Sequence, residues 1–216
     1  MGSNPPFDTL RNGIVHIGVG PSDAPKRWLG TGFLVDGYCT FATAKHILKD
    51  ANEKEIIVRF QAPTDRKMVL SWPARILFQS PDRDIAFLRI DRVKYQPCNS
   101  RRLYIFPLLD AGRIETITGA EVWIIGHPVL IKGQNLDIPI LRSGLIACTE
   151  IDWKGVHMLL LDLPGGPGFS GSPVILKNTG EVIGVVFGPG PTERVVGFEW
   201  ATQITKEDYQ KAAALK

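Results

Sequence analysis

The sequence predicts an all-β chain made of two β units of similar size and a short C-terminal helix. Three observations carry that reading. Helical periodicity is scarce, short segments rich in β-branched and aromatic residues recur along the chain, and Gly, Pro, Asn and Asp separate them at barrel or sandwich spacing. At 216 residues with 44% hydrophobic content, the chain is long enough for one large domain or two small units with packed cores.

In order, candidate strands fall at residues 11–18, 32–35, 40–43, 55–60, 74–78 and 85–90. A polar, Pro-containing stretch follows at 91–107, and the second set lies at 121–125, 138–149, 157–161, 172–176, 181–187 and 194–201. Only 44–52 and 205–215 read as helix. This places an N-terminal β unit at about 10–110, a C-terminal one at about 115–202 and a terminal helix at 203–215, within a single domain spanning 1–216. The halves share a rhythm of strands and turns, and no internal sequence repeat is visible.

Charge and hydropathy exclude several classes of partner. The 25 Lys and Arg and 22 Asp and Glu give a net charge of +3 that is spread along the chain. Without a basic run or aromatic-basic interleaving, no nucleic-acid partner is expected. The longest apolar runs, such as 158–161 and 182–187, are far too short to cross a bilayer, so no membrane partner is expected. The first nine residues lack a basic flank and an apolar stretch, and the expectation is a cytoplasmic protein without a signal peptide. Cys39, Cys98 and Cys148 are an odd count without a C-x-x-C pair. Buried free thiols are therefore expected, with no disulfide framework, metal site or cofactor.

The chemistry-bearing residues sit at the ends of these segments. His46 follows the apolar run Thr40-Phe-Ala-Thr-Ala-Lys-His46, whose small residues admit a close neighbour. Asp84 opens the strand-like stretch Asp84-Ile-Ala-Phe-Leu88, and Ser170 lies in the glycine-rich Gly165-Gly-Pro-Gly-Phe-Ser-Gly-Ser-Pro173. A hydroxyl is a poor nucleophile near neutral pH unless a base takes its proton, and that base needs a group fixing its tautomer. Serine, histidine and aspartate fill those three roles.

The ordered set of motifs resembles the chymotrypsin-fold (trypsin-like) serine proteases, above all the HtrA-type bacterial peptidase domains. The matching stretches are Gly30-Thr-Gly-Phe-Leu-Val35, Thr43-Ala-Lys-His46, Asp84-Ile-Ala-Phe-Leu88, Ile125-Gly-His-Pro128, Ser143-Gly144, Gly168-Phe-Ser-Gly-Ser-Pro-Val174, Gly184-Val-Val-Phe-Gly188 and Gly197-Phe198. They span about 12–204 in the family's order. The resemblance implies two six-stranded antiparallel β-barrels, a polypeptide substrate and peptide-bond hydrolysis through an acyl-enzyme. It makes Ser170 the nucleophile, His46 the general base and then acid, and Asp84 the group orienting the imidazole. The backbone N–H groups of Gly168 and Ser170 become the oxyanion donors.

Several residues compete for these roles. Ser172 occupies the small-residue position two after the nucleophile, and Asp82 lacks the Ile-Ala continuation that belongs to Asp84. His127 stands where relatives often carry Asn-Pro, a turn role, while His16 and His157 lie in strand-like runs and read as structural. Phe169 replaces the polar residue that commonly precedes the nucleophile, which leaves room for an activating partner. The rival functional class is a conditionally active or non-catalytic peptide-binding module. The resemblance also implies a pocket lined by Pro164, by Val185, Val186, Phe187 and Gly188, and by Glu199. With Pro164 near the pocket base, a small or medium apolar side chain is expected before the cleaved bond. A pocket-facing Glu199 would instead favour Lys or Arg.

Overall fold

The computed structural model describes residues 5–23, 25–49, 51, 55–62, 65–90, 103–111, 113, 117–128, 138–153, 155–188 and 197–215, with strand residues 62, 65–68 and 188 described by backbone alone. After a short helix α1 (Phe7–Leu10) and a single 3₁₀ turn come β1 (Ile14–Val19), β2 (Arg27–Leu34), β3 (Thr40–Thr43), β4 (Ile56–Ala62), β5 (Asp65–Gln79) and β6 (Ala86–Ile90). These six close into a barrel in the order β1-β2-β3-β6-β5-β4. The second set is β7 (Glu121–Gly126), β8 (Ile140–Trp153), β9 (Val156–Asp162), β10 (Pro173–Leu176), β11 (Val182–Gly188) and β12 (Phe198–Gln203), followed by α2 (Lys206–Ala213). It closes as β10-β11-β12-β9-β8-β7, and every pairing in both barrels is antiparallel. Followed around the ring from its first strand, each barrel has the same connectivity. The repeat absent from the sequence is therefore present in the topology.

Several strands, β3 and β10 among them, are buried on both faces because each face meets a different core. Leu34, Phe41 and Leu88 point into the first barrel, whereas their neighbours Phe33, Ala42 and Phe87 belong to a core shared between the barrels. On β11, Val186 fills the second barrel and Val185 the shared core. Successive strand residues face opposite sides, so this alternation follows from the strand period of two. The shared core also takes Ile125 from β7, Ile175 from β10, and Leu10, Phe106, Leu108, Ile204 and Ala212 from connecting and helical segments.

Several boundaries differ from the sequence reading for identifiable reasons. Residues 11–13 form a 3₁₀ turn, delaying β1 to Ile14. The helix expected at 44–52 is a four-residue 3₁₀ turn, Lys45–Leu48. β5 begins at Asp65, well before the expected 74, because its first half pairs with β4 and its second half with β6. The strand expected at 194–201 begins at Phe198, and its first residues, 194–196, lie outside the described residues together with most of 91–107. Helix α2 starts where a capping box forms: the Thr205 N–H donates to Asp208 Oδ2 at 2.9 Å, and the Thr205 side chain receives the reciprocal N3 backbone bond.

The cysteine expectation is corrected in part. Cys39, fully buried at a positive φ of 58° in the turn before β3, is disulfide-bonded, while Cys148 is a half-buried free thiol. Pairing depends on tertiary proximity that neither an odd count nor local spacing reveals. Cys98 lies outside the described residues. Among the described residues no helix is long and apolar enough to cross a membrane.

Candidate active site

His46 and Asp84 meet because of strand register. Antiparallel β3 and β6 place Thr43 opposite Ala86, so the chain leaving β3 and the chain entering β6 emerge side by side. Extended Ala44 (φ −76°, ψ 133°) then turns into the 3₁₀ segment that presents His46. His46 Nδ1 lies 2.7 Å from Asp84 Oδ2, and the backbone N–H of His46 donates to Asp84 Oδ1, also at 2.7 Å. The Lys45 N–H donates to the Asp84 carbonyl at 3.3 Å. A carboxylate held at both oxygens fixes the imidazole's orientation and favours the tautomer with its proton on Nδ1. The Asp84 side chain is 11% exposed and that of His46 40%, so the pair has a sheltered carboxyl group and an accessible imidazole.

Ser170 reaches the same cleft through backbone bonds. Its carbonyl accepts the N–H of Thr31 on β2 at 2.9 Å, and the next residue, Gly171, donates to Val186 on β11 at 2.8 Å. Phe187, adjacent on β11, has its ring 5.3 Å from that of His46. Gly168 and Gly171 have φ of +91° and +88°. A Cβ on Gly171 would overlap the Thr31 carbonyl and the Thr43 hydroxyl, so this position requires glycine both for conformation and for space. Among the described residues, no hydrogen bond joins the Ser170 hydroxyl to His46.

The carbonyls around the serine are taken up by the scaffold. Gly166 accepts from the Phe169 N–H (3.2 Å) and Phe169 from the Ser172 N–H (2.8 Å). Gly168 accepts from the Thr31 hydroxyl (2.9 Å). Among the described residues, the N–H groups of Gly168 and Ser170 donate to nothing. This combination of occupied acceptors and uncommitted donors is what a binding site for developing negative charge requires.

The competing residues separate cleanly. Ser172 is fully buried, with its hydroxyl packed where a Cβ on Gly126 would sit, whereas Ser170 is partly exposed. Asp82 is exposed and does not bond His46. His16 and His127 are buried and stacked at 4.5 Å, with His16 also stacked on Trp28 at 4.0 Å. Burial first, then His127 and Arg59, push the His16 imidazole down to about 2. His157 is exposed on β9. Phe169 is completely buried in the second barrel beneath the Arg142 guanidinium, 5.1 Å from its ring.

Not every expected pocket residue reaches the cleft. Val185 and Val186 are fully buried, paired in register with Thr202 and Ala201, and both backbone groups of Val186 bond to Gly171 and Ser172. Their expected substrate-binding role is thus replaced by core packing, leaving Phe187 and Gly188 to continue the strand beyond the β10 pairing. The Pro164 carbonyl accepts from Arg142 at 2.6 Å. Glu199 is only 4% exposed, not solvent-facing, and its carboxylate packs against the Cα of Gly165.

Sequence reasoning missed the residues that support the site. Arg83, beside Asp84, pairs with Asp208 of α2 and anchors the aspartate's loop to the C-terminal helix. A cavity of about 560 Å³ lined by Lys45, Leu48, Lys49, Ile76 and Gln79 borders His46 and Asp84. Only the hydroxyl of Thr31 between two glycines gave a local signal, read as part of a motif rather than as a contact. Among the described residues, no cluster of three His, Cys, Asp or Glu could hold a metal ion.

Two closed six-stranded antiparallel barrels with these residues at their junction define the chymotrypsin-like fold. The model of the trypsin-like peptidase domain matches residues 30–185, and the chain belongs to that family. No curated protein matches the chain. Among solved structures, it is similar to the apo MamO protease domain from Magnetospirillum magneticum (TM-score 0.67, 19% identity, covering 95% of this chain and 98% of that one). It is also similar to an inactive variant of Rv3671c from M. tuberculosis (TM-score 0.63, 21% identity, 98% of this chain and 90% of that one). A third similar structure is AlgW, an HtrA-type protease with a bound tripeptide (TM-score 0.67, 18% identity, 96% of this chain and 63% of that one).

Proposed function

We propose that the chain is a serine endopeptidase acting on polypeptide, with Ser170 as nucleophile, His46 as base and then acid, and Asp84 orienting the imidazole. The observation that carries this reading is the doubly bonded Asp84–His46 pair, set beside the turn that presents Ser170. His46 Nε2 takes the Ser170 hydroxyl proton as Oγ bonds to the substrate carbonyl carbon. The resulting oxyanion is received by the N–H groups of Gly168 and Ser170, each worth on the order of 3 kcal/mol in barrier height. Collapse breaks the C–N bond, and the proton on Nε2 passes to the leaving amine. Water then repeats the sequence on the acyl-enzyme, releasing the acid and free Ser170.

A fluorophosphonate probe tests the reading. Covalent labelling of the wild type is expected, absent in Ser170→Ala and reduced by at least about a thousandfold in rate in His46→Ala. No labelling in any condition, with peptide still bound, would leave the binding-module alternative standing. The Ser170–His46 hydrogen bond is one that substrate completes, since catalytic contacts are often loosened in apo enzymes and tighten in the substrate complex.

A Lys or Arg is favoured before the cleaved bond, because the Glu199 carboxylate lies inside against Gly165 rather than facing solvent, the placement an acidic group reading that side chain would need. Cleavage profiling on a peptide library checks this. Enrichment of small apolar residues at that position would restore the preference expected from Pro164.

A further inference from the structure

We infer that Thr31 is a positioning residue, a latch by which the first barrel holds the oxyanion turn of the second. The inference rests on the serine-peptidase reading above and adds to it a residue outside the triad and the oxyanion donors.

Thr31 is fully buried on β2, and its hydroxyl and N–H serve the junction. Its hydroxyl donates to the Gly168 carbonyl at 2.9 Å and accepts the His127 backbone N–H at 2.9 Å. Its N–H donates to the Ser170 carbonyl at 2.9 Å, and its carbonyl accepts the Thr43 hydroxyl at 2.7 Å. One side chain thus bonds the residue proposed to stabilise the oxyanion, while its backbone bonds the proposed nucleophile. Both bonds cross from one barrel to the other.

Direction matters more than number. A hydroxyl has a single hydrogen, and the incoming His127 N–H occupies acceptor capacity on Oγ1, so the hydrogen is directed to the Gly168 carbonyl. Holding that carbonyl toward β2 fixes the peptide plane following Gly168. The Phe169 N–H to Gly166 bond closes the turn on the other side. Gly168, at φ +91°, is the residue best able to rotate out of this arrangement, since glycine adopts either sign of φ readily. The latch therefore restrains the peptide plane that lies between the two proposed donors, with the Gly168 N–H before it and the Ser170 N–H after it. A threonine suits the place because β-branching in a strand restricts χ1, holding the hydroxyl aimed.

The test compares Thr31→Val, which keeps the shape and removes the hydroxyl, with Thr31→Ser, which keeps the hydroxyl, and with Thr31→Ala in case the valine variant does not fold. Steady-state hydrolysis of a peptide substrate is measured well below each variant's Tm. Loss of the latch is expected to lower kcat by about tenfold to a hundredfold with KM changed by less than about twofold, and Thr31→Ser is expected to recover kcat to within about threefold. Amide hydrogen exchange gives a readout independent of catalysis: Phe169, Gly171 and Ser172 should exchange at least about ten times faster in Thr31→Val, with β10 and β11 unchanged. If the wild type hydrolyses nothing and resists the fluorophosphonate probe, the peptidase reading fails and the exchange arm alone judges the latch. Folded Thr31→Val or Thr31→Ala with wild-type kcat, or with wild-type exchange across 168–172, overturns it.

Discussion

His16 carries a cost that its neighbours impose. Its ring is stacked between Trp28 and His127, and burial with the nearby His127 and Arg59 lowers its pKa from 6.5 to about 2. The unfolded chain therefore binds a proton that the folded one refuses between about pH 6.5 and pH 2. Stability from this group is fully present above 6.5 and declines as pH falls through that window, by up to about 1.4 kcal/mol per pH unit. Urea unfolding at pH 7, 6, 5 and 4 is expected to show a shallower acid loss in His16→Gln than in the wild type; parallel curves would contradict the assignment. At the same scale, Asp84→Asn is expected to leave the fold intact while lowering kcat by about 10⁴, because the imidazole loses the partner that sets its tautomer.

The loop entering β6 and helix α2 are coupled through Arg83 and Asp208. Asp208 is almost fully buried and divides its carboxylate between Arg83 and the capping box at Thr205, while Arg83 also reaches the Gln203 carbonyl at 3.4 Å. Asp208→Ala removes the N3 half of the capping box and leaves a partly buried guanidinium without that partner, a combined loss of about 3 kcal/mol. A fall in Tm should accompany a lower kcat, since Asp84 is the next residue after Arg83. Unchanged kcat in the folded variant would show that the loop is held by β3–β6 pairing alone. On the turn before β10, Gly171→Ala imposes a strained φ and an overlap with Thr31 and Thr43. Loss of both stability and fluorophosphonate labelling is expected, checked by thermal unfolding and gel readout.

Across the whole molecule, the two barrels repeat one connectivity and place the catalytic candidates on both sides of their junction. His46 and Asp84 come from the first barrel and Ser170 from the second. Their relative position therefore depends on the shared core, where Phe33, Phe87 and Phe106 are fully buried. Phe87→Ala should cost about 3–5 kcal/mol. The bond at Cys39 also belongs to this scale. A chain with three cysteines, one free at Cys148 and one bonded at Cys39, should titrate one thiol per chain in denaturant before reduction and three after it. Three thiols before reduction would show that the bond is absent in solution. A disulfide persists where thiols are not kept reduced, so the same titration bears on the compartment.

The all-β class and the places of His46, Asp84 and Ser170 were legible in the sequence. Strand alternation, glycine-rich turns and short family motifs are local properties, and local spacing carries them. Segments such as 40–43 and 85–90 needed only an apolar run bounded by turn residues. Which face of a strand meets which core is a different matter: Val185 and Val186 look equally suited to a pocket wall until β10, β12 and the Gly171–Ser172 turn pack against them. The same holds for Glu199, whose direction depends on register, for the bond at Cys39, and for Thr31, whose partners lie 96 and 137 residues away along the chain. Residue types and their order thus determined the class of fold and the chemical candidates. Tertiary structure alone decided which of them meet, because hydrogen bonds and packing act over a few ångströms in space, whatever the distance along the chain.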